Sequence, residues 1–273
     1  MNRIDLSFQN LKKRGEAAFI PFLVLGDPAT NHTLEIVKAI EPYFDLLEVG
    51  IPFSDPLADG PTIQEGYQRA FASGMNSDKA FELMAQIRQI TSKPLIILTY
   101  FNVILNRHGN PATGIQDFFN DMDKAGVDGV IIADLPVEEA TDVWKYAQTL
   151  GKYIIFLVAP TTTPQRLAKI HQYAQGYLYV ISRLGVTGAQ AQLSDLTIET
   201  IKRVQAKEKI PLAVGFGISA PDHVRAIVKA GADGVIVGSA IVDLIKTHQA
   251  NPSEMVRHVE DYAKKMKEAT RRE

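Results

Sequence analysis

The chain contains no cysteine, which excludes disulfides, thiolate nucleophiles and cysteine-built zinc sites; a reducing cytosol fits that absence. Its six histidines, at positions 32, 108, 171, 223, 248 and 258, are scattered without the spacing of a helical metal site, so no metal is expected. No apolar run reaches the roughly 18–20 residues that a membrane helix needs. The first stretch, MNRIDLSFQNLKKRG, lacks the apolar centre of a signal peptide. Excess charge is missing too: 29 Lys and Arg against 31 Asp and Glu leave a net charge of −2, with nothing to attract nucleic acid or an anionic membrane. These absences lead to the expectation of a soluble cytoplasmic protein that works on small molecules.

What is present is a regular alternation. Apolar runs bounded by Gly, Pro or Asp fall at 18–26, 45–50, 94–100, 129–134, 153–159, 177–182, 211–216 and 234–239. They are nearly continuous in Val, Ile and Leu, as in parallel strands covered on both faces. Helical spacing separates them at 33–41, 78–90, 114–125, 138–150, 164–174, 195–206, 220–230 and 253–268. Ser77 and Asp78 stand at one helix start, and Ser219-Ala220-Pro221 suggests a cap and an early proline at another. Eight strands alternating with eight helices over about 250 residues is the arithmetic of a (β/α)8 barrel. The expected fold class is therefore α/β, a single TIM-barrel domain over 1–273, with an open doubly wound sheet as the competitor. An internal echo fits the barrel: KAGVDGVIIAD at 124–134 and KAGADGVIVGS at 229–239 would be strands four and eight with the preceding helix ends.

In such barrels function sits on the loops after the strands' C-terminal ends. Three late loops are small and glycine-rich: SRLGVTGAQ, GFGIS and VGSA. Each glycine alone reads as a turn residue. Together, Gly188, Gly217, Gly238 and Ser239 can offer backbone N–H groups and a helix N-terminus to a phosphate without a lysine. A phosphorylated small substrate follows.

The segment LEVGIPFSDPLADGP, 47–61, places Glu48 inside an apolar run. Strand alternation leaves open whether Glu48 faces the barrel lumen or the helix layer. In the lumen it would be a partly desolvated acid with a raised pKa, suited to giving and taking a proton near neutrality; the plainer alternative is a carboxylate held by a buried Arg or by backbone donors. Asp59, like Asp55, reads first as a turn residue. The loop is unusual in crowding prolines and carboxylates together, which lets a stiff segment aim a second acid at the same site.

On these residues the chain resembles the tryptophan synthase α subunit family. LEVGIPFSDPLADGPTIQ (47–64) carries the resemblance most specifically. FIPFLVLGDP (19–28), TYFN (99–102), GVIIADLPVEE (129–139), YLYVISRLGVTG (177–188), GFGIS and GVIVGSAIV (234–242) extend it across nearly the whole chain. The resemblance implies cleavage of indole-3-glycerol phosphate to indole and glyceraldehyde 3-phosphate, with no cofactor. It implies Glu48 as the acid-base residue, Asp59 at the indole N–H, and Tyr179 beside the catalytic Glu. Phe22, Leu98, Tyr100 and Phe216 match the indole pocket, and Arg183 and Thr187 a loop that closes over substrate. Gly188, Gly217, Gly238 and Ser239 match the phosphate site. The stretch 106–118 looks longer than the family pattern.

The chemistry agrees with that assignment. Protonating the ring carbon gives an iminium-like tautomer that can accept the electrons of the breaking C–C bond; a base must take the side-chain hydroxyl proton, and one Glu can do both in turn. The resemblance further implies an α2β2 complex with a pyridoxal-phosphate β subunit that receives indole. The loop holding Pro52, Asp55 and Pro56 and the segment 183–194 are expected at or near that contact. A stand-alone indole-releasing lyase and another phosphate-binding barrel isomerase or synthase are the alternatives.

Overall fold

The structure, a computed structural model, describes residues 1–181, 195–205, 210–215 and 217–272. Nine strands are described: β1 (Ala18–Val24), β2 (Leu47–Gly50), β3 (Leu95–Thr99), β4 (Gly129–Ile132), β5 (Tyr153–Ile154), β6 (Leu157–Val158), β7 (Leu178–Ile181), β8 (Leu212–Gly215) and β9 (Gly234–Val237). They form one sheet in the order β5-β4-β3-β2-β1-β9-β8-β7-β6, and every pairing is parallel. The two ends of that order are halves of a single stretch. Ile155 N–H donates to the Val130 carbonyl at 2.9 Å, and the Phe156 carbonyl accepts from Tyr179 N–H at 3.0 Å. The sheet thus returns on itself as a (β/α)8 barrel. The expected fifth strand at 153–159 is split because its first half pairs with β4 and its second with β7.

The internal echo has a structural cause. Asp128 accepts from Leu95 N–H at 2.9 Å and Asp233 from Leu212 N–H at 3.0 Å, so each Asp before a strand satisfies the first amide of the neighbouring strand. Asp45, ahead of β2, accepts likewise from Phe19 N–H, the second amide of β1, at 2.8 Å. An open amide at the buried end of a parallel ladder is costly, and a carboxylate is a strong acceptor for it. The glycines that end the two echoed helices, Gly126 and Gly231, take φ of 70° and 108°, values that favour glycine.

Side chains alternate between two cores. Leu23, Val49, Ile97, Val130, Val214 and Val235 face the helices. Ile20, Leu46, Ile96, Ile131, Tyr177 and Ala213 fill the lumen, joined from below by Ile4, Phe8 and Leu11. These last three belong to a helix the sequence reading did not anticipate, Arg3–Arg14, capped by the Asn2 side chain and closed by Gly15. Its many charges conceal a three-residue apolar stripe. Burying each of the three contributes roughly 1.5–3 kcal/mol. Asp128 anchors the helix through Arg3 at 2.7 Å.

Three further helices were not expected: Pro61–Ala72, Phe101–Leu105 and Ser239–His248. Pro61 opens the first of them at a position where its missing N–H costs nothing. Two caps differ from expectation. Asn76, not Ser77, caps the helix Ser77–Ile90 by accepting from Lys79 N–H. Ser219 does not cap Pro221–Lys229, where the cap position is Ala220. The segment at 138–150 is a 3-10 turn, Val137–Glu139, followed by the helix Thr141–Thr149. In the 106–118 stretch Arg107 is buried and ties the loop to Asp121 at 2.8 Å.

Candidate active site

The register of the first three strands places Phe22, Glu48 and Ile96 side by side. Leu46 is in the lumen core, so Glu48, two residues on, points the same way. It faces the lumen, not the helix layer. Glu48 is fully buried, yet among the described residues neither a buried Arg nor a backbone donor holds it. The Tyr177 hydroxyl donates to Oε1 at 2.6 Å, and Oε2 is buried without a hydrogen-bond partner among the described residues. Burial pushes the carboxyl up to about 8, the Tyr177 hydrogen bond opposing it. At neutral pH Glu48 therefore carries a proton.

Tyr177 was missed in the sequence. Its hydroxyl makes the hydrogen bond to Glu48, while Tyr179, which the family resemblance puts beside the Glu, lines the cavity with it and feels both Glu48 and Asp59. Spacing offered the signal, since Tyr177, just before β7, and Tyr179 within it are two residues apart and both face the lumen. Phe8 backs Tyr177 with ring centroids 5.6 Å apart, so the N-terminal helix supports the residue that touches the acid.

Asp59 sits in the loop between β2 and the helix Pro61–Ala72, and is only 9% exposed. Its amide donates to the Pro56 carbonyl at 3.0 Å, and its own carbonyl accepts from Gln64 at 2.8 Å. Two phenols converge on Oδ2: Tyr100 at 2.6 Å and Tyr67 at 3.3 Å. Burial raises the Asp59 pKa, and the two hydroxyls pull it back. The Tyr100 hydroxyl also accepts from Ala58 N–H at 3.1 Å, and its ring stacks on Phe53 with centroids 5.0 Å apart. Tyr100 is thus not among the residues lining the cavity, where the sequence reading had it; it stands behind Asp59 and fixes it. The reason is geometric: its hydroxyl is drawn to the buried carboxylate.

Glu48 and Asp59 line one cavity. Phe22, Leu98, Tyr179 and Ile236 give it apolar walls. Gly217, Ser219, Gly238 and Ser239 line it as well. Ser239 begins the helix Ser239–His248, whose N-terminus supplies partial positive charge and unpaired N–H groups there. Gly217 takes φ of 76°, and a Cβ on Gly238 would lie 3.2 Å from Phe22 Cδ1. Gly215 is equally constrained: a Cβ there would lie 2.2 Å from the Tyr179 hydroxyl. Of the residues singled out in the sequence, Phe22, Glu48, Asp59, Leu98, Tyr179, Gly217, Gly238 and Ser239 meet in this cavity. Arg183, Thr187, Gly188 and Phe216 lie outside the described residues.

A parallel barrel in which a buried acid and a second carboxyl share an apolar-walled cavity with an anion-receptive glycine rim defines an acid-base enzyme of the (β/α)8 class. Comparison with known proteins narrows this. The chain belongs to the tryptophan synthase alpha chain family, whose model matches residues 8–271. It is 44% identical over 270 residues to the tryptophan synthase alpha chain of Methanoregula boonei, covering 98% of each chain. Among solved structures it resembles tryptophan synthase subunit alpha of Legionella pneumophila with a TM-score of 0.87 at 32% identity, covering 99% of this chain and 98% of that one. A chain of the tryptophan synthase α2β2 complex from Pyrococcus furiosus matches with a TM-score of 0.84 at 34% identity, covering 92% and 98%.

Proposed function

We propose that this chain cleaves indole-3-glycerol phosphate to indole and glyceraldehyde 3-phosphate, as the α subunit of a tryptophan synthase. The observation that carries the proposal is the fully buried Glu48 sharing one cavity with Asp59 and the glycine-lined rim.

The reaction follows from that arrangement. The indole ring lies among Phe22, Leu98 and Tyr179, with its N–H toward Asp59, and the phosphate lies at Gly217, Gly238 and Ser239. Glu48 delivers its proton to the ring carbon bearing the side chain, and the ring becomes an iminium-like cation. Asp59, held by Tyr100 and Tyr67, stabilises the charge at the ring nitrogen. Glu48 is now a carboxylate in an apolar site and a strong base. It takes the proton of the adjacent side-chain hydroxyl. The oxygen lone pair forms the aldehyde C=O, the C–C bond breaks, and its electrons restore the aromatic ring. Glu48 ends protonated, ready for another cycle. Only protons pass between the enzyme and the substrate, so the sequence of steps calls on no cofactor.

The product indole is apolar, which suits transfer to a pyridoxal-phosphate β subunit within an α2β2 assembly. At the barrel mouth Asp55 is exposed, Pro56 is half-buried and Leu57 is 90% exposed, whereas Pro52 is buried. The face offered to that partner is therefore the tip at 55–57. Among the described residues no helix is long and apolar enough to cross a membrane, and a cytoplasmic location is proposed with the function.

Incubation of the purified chain with indole-3-glycerol phosphate, with and without a β subunit, tests the reading. Release of indole, faster in a complex of two α and two β chains, supports it. No indole with either preparation overturns it, and full activity without complex formation favours a stand-alone lyase.

A further inference from the structure

We propose that Asp243 sets the affinity of this cavity for the phosphoryl end of its substrate, as a fixed negative charge that weakens binding and eases release of the phosphorylated product. The inference rests on the function proposed above.

Asp243 lines the cavity together with Gly238 and Ser239. It stands four residues beyond Ser239 on the helix Ser239–His248, hence on the same face one turn further along. None of the described residues lining the cavity is Lys or Arg. The nearest cation on this helix, Lys246, is engaged with Glu65 at 2.6 Å, and among the described residues no ion pair involves Asp243. The rim therefore attracts a phosphate with backbone groups and repels it with one exposed carboxylate.

A phosphate ester carries about −1.5 to −2 charges at neutral pH. It is remote from the bond that breaks and keeps its charge in substrate, transition state and product. An interaction of that kind is uniform: it moves KM and leaves kcat in place.

The test is a charge series, Asp243, Asp243→Asn and Asp243→Lys, assayed with indole-3-glycerol phosphate at low and high salt. KM is expected to fall stepwise, by about two- to fivefold for each unit of charge, the size of an exposed charge interaction. kcat should stay within about twofold, and the steps should shrink at roughly 0.5 M salt, where screening acts within about 4 Å. In the reverse condensation of indole, the KM for glyceraldehyde 3-phosphate should follow the series, while that for unphosphorylated glyceraldehyde should not move. Equal KM values across the series at low salt, or an equal change with glyceraldehyde, overturn the inference. Phosphorus NMR titration of the whole chain with inorganic phosphate reads the same charge dependence without turnover. It separates failure of this inference from failure of the proposed reaction.

Discussion

The Tyr177 hydroxyl lies 2.6 Å from Oε1 of Glu48, and Oε2 of the same carboxyl has no hydrogen-bond partner among the described residues. One oxygen is held and the other is left for substrate. The tyrosine favours the ionised form and burial favours the neutral one, and burial wins.

Tyr177→Phe removes the one opposing influence found among the described residues. The Glu48 pKa, already up to about 8, should rise by about one unit, the worth of a hydrogen bond to a charged group. The initial acid form is lost as pH rises, so the basic limb of kcat/KM should move to higher pH. The pH profile checks this; an unmoved limb contradicts it.

The same acid has a cost in stability. Its folded pKa of about 8 lies above the ordinary value of 4.5, so the native state holds a proton the unfolded chain has released. The contribution is fully present below about pH 4.5 and lost as pH rises through about 8. Glu48→Gln removes that loss. Against the unaltered chain it should gain on the order of 4 kcal/mol at pH 9 and nothing near pH 4.5. Thermal melts at the two pH values read the difference.

Tyr100→Phe and Tyr67→Phe each take one donor from Asp59 Oδ2. The Asp59 pKa, raised by burial and restrained by those hydroxyls, should climb further. The acidic limb of kcat/KM should then move to higher pH, more for Tyr100 at 2.6 Å than for Tyr67 at 3.3 Å. Equal, unshifted profiles would refute a positioning role for both.

Gly215→Ala inserts a methyl 2.2 Å from the Tyr179 hydroxyl. Overpacking of this kind costs about 1–3 kcal/mol, and the ring's escape is into the cavity. The melting temperature should fall and the KM for substrate should rise together. A drop in stability with unchanged KM would show that the ring moves elsewhere.

The barrel was legible because strands covered on both faces must be apolar throughout, and each run announces itself. The helix Arg3–Arg14 was not, since only Ile4, Phe8 and Leu11 of its residues are buried. Glu48 stood out because a carboxyl in an apolar run demands a reason. Its partner did not, because Tyr177 in a buried strand reads as packing until the partner of its hydroxyl is seen. The same holds for Tyr100, which the family resemblance puts in the pocket wall while its hydroxyl is committed to Asp59. Sequence spacing shows which residues share a face; it does not show where a hydroxyl ends.

Single-turnover release of indole from indole-3-glycerol phosphate, compared between the unaltered chain and Glu48→Gln, bears on the role of Glu48 without interference from product release. The glutamine has the same shape and no acid proton. Its chemical step should be slower by at least about 100-fold, with substrate still bound in equilibrium titration. Release at an undiminished rate would show that the buried acid does not carry the proton that starts the reaction.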